Sequence, residues 1–153
     1  MDDNAPLHTA LRAQLRIAVD AFLPELDGLT TEQLNRNLGP DTNSIAVLVA
    51  HTVQSGRAIL HDLVDDPIPR DREAAFRITN ANGDDLKDAL VTWRDEMDDL
   101  AARALAGELG RTVKRYREAT QAWWLLQVLG HTREHAAQAA LTRQIVLAEG
   151  ADA

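Results

Sequence analysis

Four stretches of the chain place apolar side chains at helical spacing, and the segments between them are rich in proline, glycine and charge. In the first stretch, Leu7, Leu11, Leu15, Ile17, Val19 and Phe22 supply most of one apolar face, which predicts a helix from about Pro6 to Phe22. Proline is tolerated in a first helical turn, and Pro24 discourages continuation beyond Phe22. Thr30 or Thr31 suits the cap of a short turn containing Glu32, Gln33 and Leu34, and Leu38 to Asn43 reads as a loop. Ser44 is a good N-cap for the second helix, where Ile45, Leu48, Thr52, Ser55 and Ile59 recur at helical spacing as far as about Val64, with His51 beside the stripe.

The segment from Pro67 to Gly83 is a long connector, with one helical turn predicted at Asp71 to Phe76. In the third stretch, Leu86, Leu90, Trp93, Met97, Leu100 and Ala104 line one face of a helix from about Asp85 to Ala106, stopped by Gly107 and Gly110. Arg111 to Glu118, where Val113 and Tyr116 alternate with basic residues, suits an extended connector. Thr120 then caps a fourth helix from Gln121 to about Glu149. The pattern predicts one all-α domain over residues 1–153, a four-helix bundle with a long crossover between its second and third helices.

At 153 residues the chain is long enough for a core without covalent staples, since domains of this size bury roughly 68–70% of their unfolded surface. Cysteine is absent, which excludes disulfides, thiolate metal ligands and a protein thiol nucleophile. The net charge of −8 argues against a nucleic-acid partner and against anionic membrane surfaces. No apolar run approaches the ~20 residues that span a bilayer. The acidic, polar start of the chain lacks the features of a secretory signal, so a cytoplasmic location is expected.

The candidate chemistry is carried by histidine. His131 and His135 in HTREH stand four apart, so both rings project from one helical face with Cβ atoms ~6 Å apart. Trp124, Val128, His131, His135, Gln138 and Thr142 form one stripe, in which imidazoles cost desolvation unless their nitrogens find partners. Two readings are open: hydrogen-bonded core histidines, or a metal site completed by His51 with open positions for water or substrate. HTREH also matches H-x-x-E-H literally, but that site needs a carboxylate well downstream, and Glu149 is the sole glutamate after His135. Leu48, Val128 and Thr132 stand three residues before the histidines, where a di-iron bundle would need glutamate. Asp65–Asp66, Asp84–Asp85 and Asp98–Asp99 read as solvated helix ends or faces, and His8 and His61 as surface residues. The cluster Arg111, Lys114, Arg115 and Arg117 reads first as a solvated loop and second as an anion-binding rim.

Two segments resemble the DinB/YfiT-like superfamily of metal-binding four-helix bundles. Asn43 to His51, NSIAVLVAH, is similar to that family's opening of helix 2, closed by a ligand histidine. His131 to Gln144, HTREHAAQAALTRQ, is similar to its helix-4 signature of two ligand histidines before a Leu-Thr-Arg-Gln run. Arg70 to Arg77, RDREAAFR, resembles the mid-chain connector. Ala137 departs from the pattern, which often has glycine there. Carried over residue by residue, the resemblance implies His51, His131 and His135 as metal ligands, in a bundle that is often a homodimer.

Three imidazoles favour zinc, with nickel, iron or manganese as alternatives. The family's characterised branches imply a thiol-dependent transferase or isomerase that uses bacillithiol or mycothiol. Because the chain has no cysteine, such a thiol would come from a small cofactor and act on a small-molecule substrate. The other expectations are a metal-dependent hydrolase or isomerase using bound water, a non-catalytic metal-binding stress-response protein, and a structural dimer. Glu134, Gln138 and Arg143 are candidates for supporting the ligands, and no residue is marked as general acid or base.

Overall fold

Side-chain caps set where most of the helices begin. The computed structural model describes residues 5–115 and 117–151, with side chains to Glu149; Tyr116 and residues 1–4 of the acidic start lie outside the described residues. Helix α1 spans Ala5–Asp20. The chain then turns into α2, Leu23–Leu26, where Pro24 sits in the first turn. Pro24 therefore starts a new short helix as well as closing off the previous one, because its missing N–H is unneeded there. Thr30 caps α3, Thr31–Asn35, in a reciprocal box with Gln33.

Ser44 accepts from the Val47 amide and starts α4, Ile45–Leu63. Asp65 follows in the left-handed region at φ 57°, and the Asp66 amide returns to the His61 carbonyl. Asp71 caps α5, Arg72–Phe76, within the long connector. Asn82 caps α6, Gly83–Leu105, two residues earlier than the apolar stripe alone suggests. Strands β1, Thr112–Lys114, and β2, Glu118–Thr120, pair antiparallel with Val113 opposite Ala119, so the extended connector is a hairpin. Thr120 accepts from the Trp123 amide at the head of α7, Gln121–Ala151.

The protein is mostly helical, and the four long helices enclose one core. Helices α1 and α4 each pack against both α6 and α7. Their directions follow from specific pairs. Arg12 and Asp20 of α1 meet Asp98 and Arg94 of α6, so those two helices run antiparallel. Gly56 of α4 lies against Trp93, and Arg57 and His61 bond Glu96, so α4 and α6 advance together. Residues 64–82 join α4 to α6 and return beside α4 through α5. Asn35 fixes the end of that return, donating to the Ala81 carbonyl and accepting from the Ala81 amide, while Gln54 donates to the Asp71 carbonyl.

Trp93, Met97, Trp124, Phe22, Leu15 and Leu60 fill the centre and are almost wholly buried. Gly56 permits the α4–α6 contact, since a Cβ there would stand 2.3 Å from Cζ2 of Trp93. Trp124 donates its indole N–H to the Val113 carbonyl, which ties the hairpin to the core. Among the described residues no helix is long and apolar enough to cross a membrane.

Candidate metal centre

Helix α4 contributes His51 and α7 contributes His131 and His135. The two helices run antiparallel, which brings Leu48 beside Gln138 and Thr142, and His51 opposite the α7 pair. The His51 ring centroid lies 5.1 Å from that of His131 and 5.4 Å from that of His135, and the α7 rings are 4.2 Å apart. One nitrogen from each of the three falls within 4.8 Å of the others. The sequence singled out these three residues, and the fold brings all of them together.

The contacts within the cluster suit ligation. His131 Nε2 and His135 Nε2 are 3.2 Å apart. Two nitrogens held tetrahedrally at ~2.05 Å from zinc would be ~3.3 Å apart. The Nδ1–H of His135 donates to Gln138 Oε1 at 2.8 Å, which leaves the lone pair on Nε2, facing His131. His51 Nδ1 is buried and makes no hydrogen bond. A buried imidazole nitrogen without a hydrogen bond, in a cluster of three such rings, fits a ligand set better than a hydrogen-bonded core. Three neutral nitrogen donors without thiolate or carboxylate suit a borderline divalent ion.

Electrostatics keep the rings in the ligating form. Burial pushes His51 down to about 4, aided by the charge of His135 and by Arg70 and Arg72 from the connector. Burial likewise pushes His131 down to about 4, with His135, His51 and Arg70 contributing. Both rings are therefore neutral at neutral pH and offer lone pairs. Phe76 closes one side, its ring centroid 4.7 Å from that of His51, and the Arg72 guanidinium lies over the Phe76 ring, 4.8 Å from its centroid. Sequence pattern marked Arg70 to Arg77 as a connector without marking its role beside the histidines. The aromatic Phe76 at the end of α5 was the available signal.

Several other expectations change. Arg111 does not line a solvated loop: it bonds Asp65, the Leu63 carbonyl and Gln121. Arg115 is 11% exposed, paired with Asp62 and donating to the Ala58 carbonyl. Lys114 and Arg117 remain exposed, with Arg117 over the Trp123 ring. The two inward arginines are already matched to protein acceptors, so the cluster is a structural clamp between the hairpin and α4, away from the histidines. His61 is not a surface residue. Its side chain is 13% exposed and bonds Glu96 and the Asp66 carbonyl at the α4–α6 seam. His8 is half-buried. Asp98 belongs to a bidentate pair with Arg12 that holds α1 to α6. Of the three supporting candidates, Gln138 touches a histidine. Glu134 is exposed, and Arg143 donates to the Glu25 and Asp27 carbonyls to anchor α2 on α7.

A family sequence profile described as the DinB superfamily matches residues 14–139, a span that contains all three histidines. The chain belongs to the DinB superfamily. Solved structures agree on the fold of this DinB-superfamily protein. A conserved protein from Enterococcus faecalis superposes with a TM-score of 0.72 at 18% identity, covering 97% of this chain and 99% of that one. A DinB-like protein from Bacillus cereus gives 0.59 at 14% identity, covering 83% and 84%. The comparison with curated proteins yields no match.

Proposed function

We propose that His51, His131 and His135 hold one divalent transition metal, zinc first among the candidates, and that the protein is a metal-dependent S-transferase using a low-molecular-weight thiol. The single observation that carries this reading is the meeting of three imidazoles, one nitrogen of each within 4.8 Å of the others, drawn from two antiparallel helices. Superfamily membership supports a metal site on this fold, and the absence of cysteine requires the thiol to come from outside. When bound, the ion would act as a Lewis acid that lowers the pKa of a thiol or water.

The chain's own part is positional. Gln138 holds the His135 tautomer, burial keeps His51 and His131 neutral, and Phe76 excludes water from one side. The body around the site is read as a four-helix bundle with residues 64–82 as its crossover, cytoplasmic, acting as a homodimer on a small-molecule substrate.

Elemental analysis of untagged protein beside His135→Ala tests the centre. The expected result is about one equivalent of metal per chain, lost in the variant. Absence of metal after reconstitution with zinc, nickel, iron and manganese would leave three core histidines and remove the enzyme reading. Given a loaded site, a panel of electrophiles is assayed with and without bacillithiol or mycothiol. Consumption only with thiol supports transfer. Turnover without thiol moves the assignment to a hydrolase or isomerase, and no turnover with either leaves a non-catalytic metal-binding protein.

A further inference from the structure

A cavity of about 290 Å³ opens between the loop that precedes α4 and the C-terminal half of α7, about one helical turn from the histidines along each helix. Two of its walls are shared with the cluster. Gln138 accepts from His135, and Leu48 lies one helical turn before His51. Leu38, Leu141 and Ile145 extend the apolar surface begun by Leu48, beside Thr42, Asn43 and Thr142, and Leu141 is 58% and Ile145 37% exposed. Large aliphatic side chains left open to water around a concave space mark a binding surface rather than a core. Asp41 stands at the rim and forms no hydrogen bond or ion pair with any described residue. Ligand pockets commonly run from ~300 to 1,000 Å³, so this one suits a small molecule rather than a peptide or a dinucleotide.

We infer that this cavity is the organic-substrate compartment of the histidine centre, and that it takes a small molecule with an apolar body and a cationic end paired with Asp41. The inference rests on the proposed reading of the histidines as a reaction centre and adds the substrate's class. The apolar body lies between Leu141 and Ile145. The cationic end faces the loop, and the opposite end is left against Gln138, the hydrogen-bond partner of His135. An anionic substrate of the same shape is disfavoured, because Asp41 offers it no partner.

Benzylamine is the probe, with benzoate and benzyl alcohol as shape controls. Binding to the whole chain, apo and metal-loaded, is followed by NMR of the leucine and isoleucine methyl groups and of the histidine ring nitrogens. Benzylamine is expected to shift the Leu141 and Ile145 methyls and the His135 ring, and to bind at least about threefold more tightly than benzoate, as an exposed charge pair allows. Asp41→Asn should remove that preference while leaving benzyl alcohol unaffected. Leu141→Ser with Ile145→Ser, both at exposed positions, should weaken all three probes by about fivefold or more. Benzoate binding as tightly as benzylamine, or shifts confined to another face, would overturn the inference. So would binding that leaves the His135 ring unmoved, since the cavity would then not serve the histidines. Because the apoprotein is measured as well, a chain that holds no metal fails the metal reading alone, and the cavity is judged on its own shifts.

Discussion

Replacing His51 by leucine should make the metal-free protein more stable while abolishing metal binding. His51 is 9% exposed and its Nδ1 is buried without a hydrogen bond. A buried unsatisfied polar atom costs about 1–3 kcal/mol, a cost that leucine removes. Leucine is close to histidine in volume, so neither a cavity nor overpacking dominates. The ring contact with Phe76 at 4.7 Å is lost, and such pairs contribute about 0.5–1.5 kcal/mol. The net expectation is a gain of about 1 kcal/mol, or roughly 2–4 °C in Tm for a chain of this size.

The acid response should change with it. Folded His51 and His131 are pushed to about 4, below the unfolded histidine value of 6.5. The unfolded state therefore binds more protons between those values, and apoprotein stability is full above about 6.5 and falls as pH drops toward 4. His51→Leu should lessen that fall, with His131 still contributing. Chemical denaturation of EDTA-treated wild type and variant at pH 7.5 and pH 5 measures both effects. A loss of more than about 1 kcal/mol in the variant at pH 7.5 would refute the reasoning, because it would mean that His51 is a satisfied core residue.

Other substitutions test the supports. Gln138→Leu should weaken metal affinity by about tenfold, measured by competition with a chromogenic chelator, since a partner on a ligating histidine commonly contributes 10–100-fold and Gln138 is exposed. Gly56→Ala should destabilise by about 1–3 kcal/mol in urea despite its better helix propensity, because the new Cβ meets the buried Trp93 ring at 2.3 Å. Asp62→Ala should cost about 2–4 kcal/mol in the same assay by stripping the ion-pair partner from the nearly buried Arg115, whereas exposed Lys114→Ala should stay within about 0.5 kcal/mol.

Helix positions were legible in the sequence because their causes are local. Ser44 and Thr120 cap where a short side-chain oxygen can reach an amide two or three residues on, and the Leu86-to-Ala104 stripe repeats at the helical period. The i, i+4 spacing of His131 and His135 likewise needs no partner element to put two rings on one face. The extended residues between Gly110 and Thr120 were visible as alternation. Their closure into a hairpin is held by Arg111 on Gln121 and by Trp124 on the Val113 carbonyl, contacts ten and eleven residues apart that a local alternation does not register.

Tertiary structure decided what lies across from each face. Nothing near His51 in the chain indicates that Phe76 covers its ring or that Arg70 and Arg72 act on the cluster, because the connector reaches it only by running back along α4. The basic run from Arg111 to Arg117 looked uniform as sequence. Packing split it into two arginines turned inward against Asp65 and Asp62 and two cations left at the surface. Backbone periodicity and capping are set within a few residues, so sequence determines them. The pairing of a buried charge or an orphaned nitrogen depends on distant helices meeting, and only the packed fold determines that.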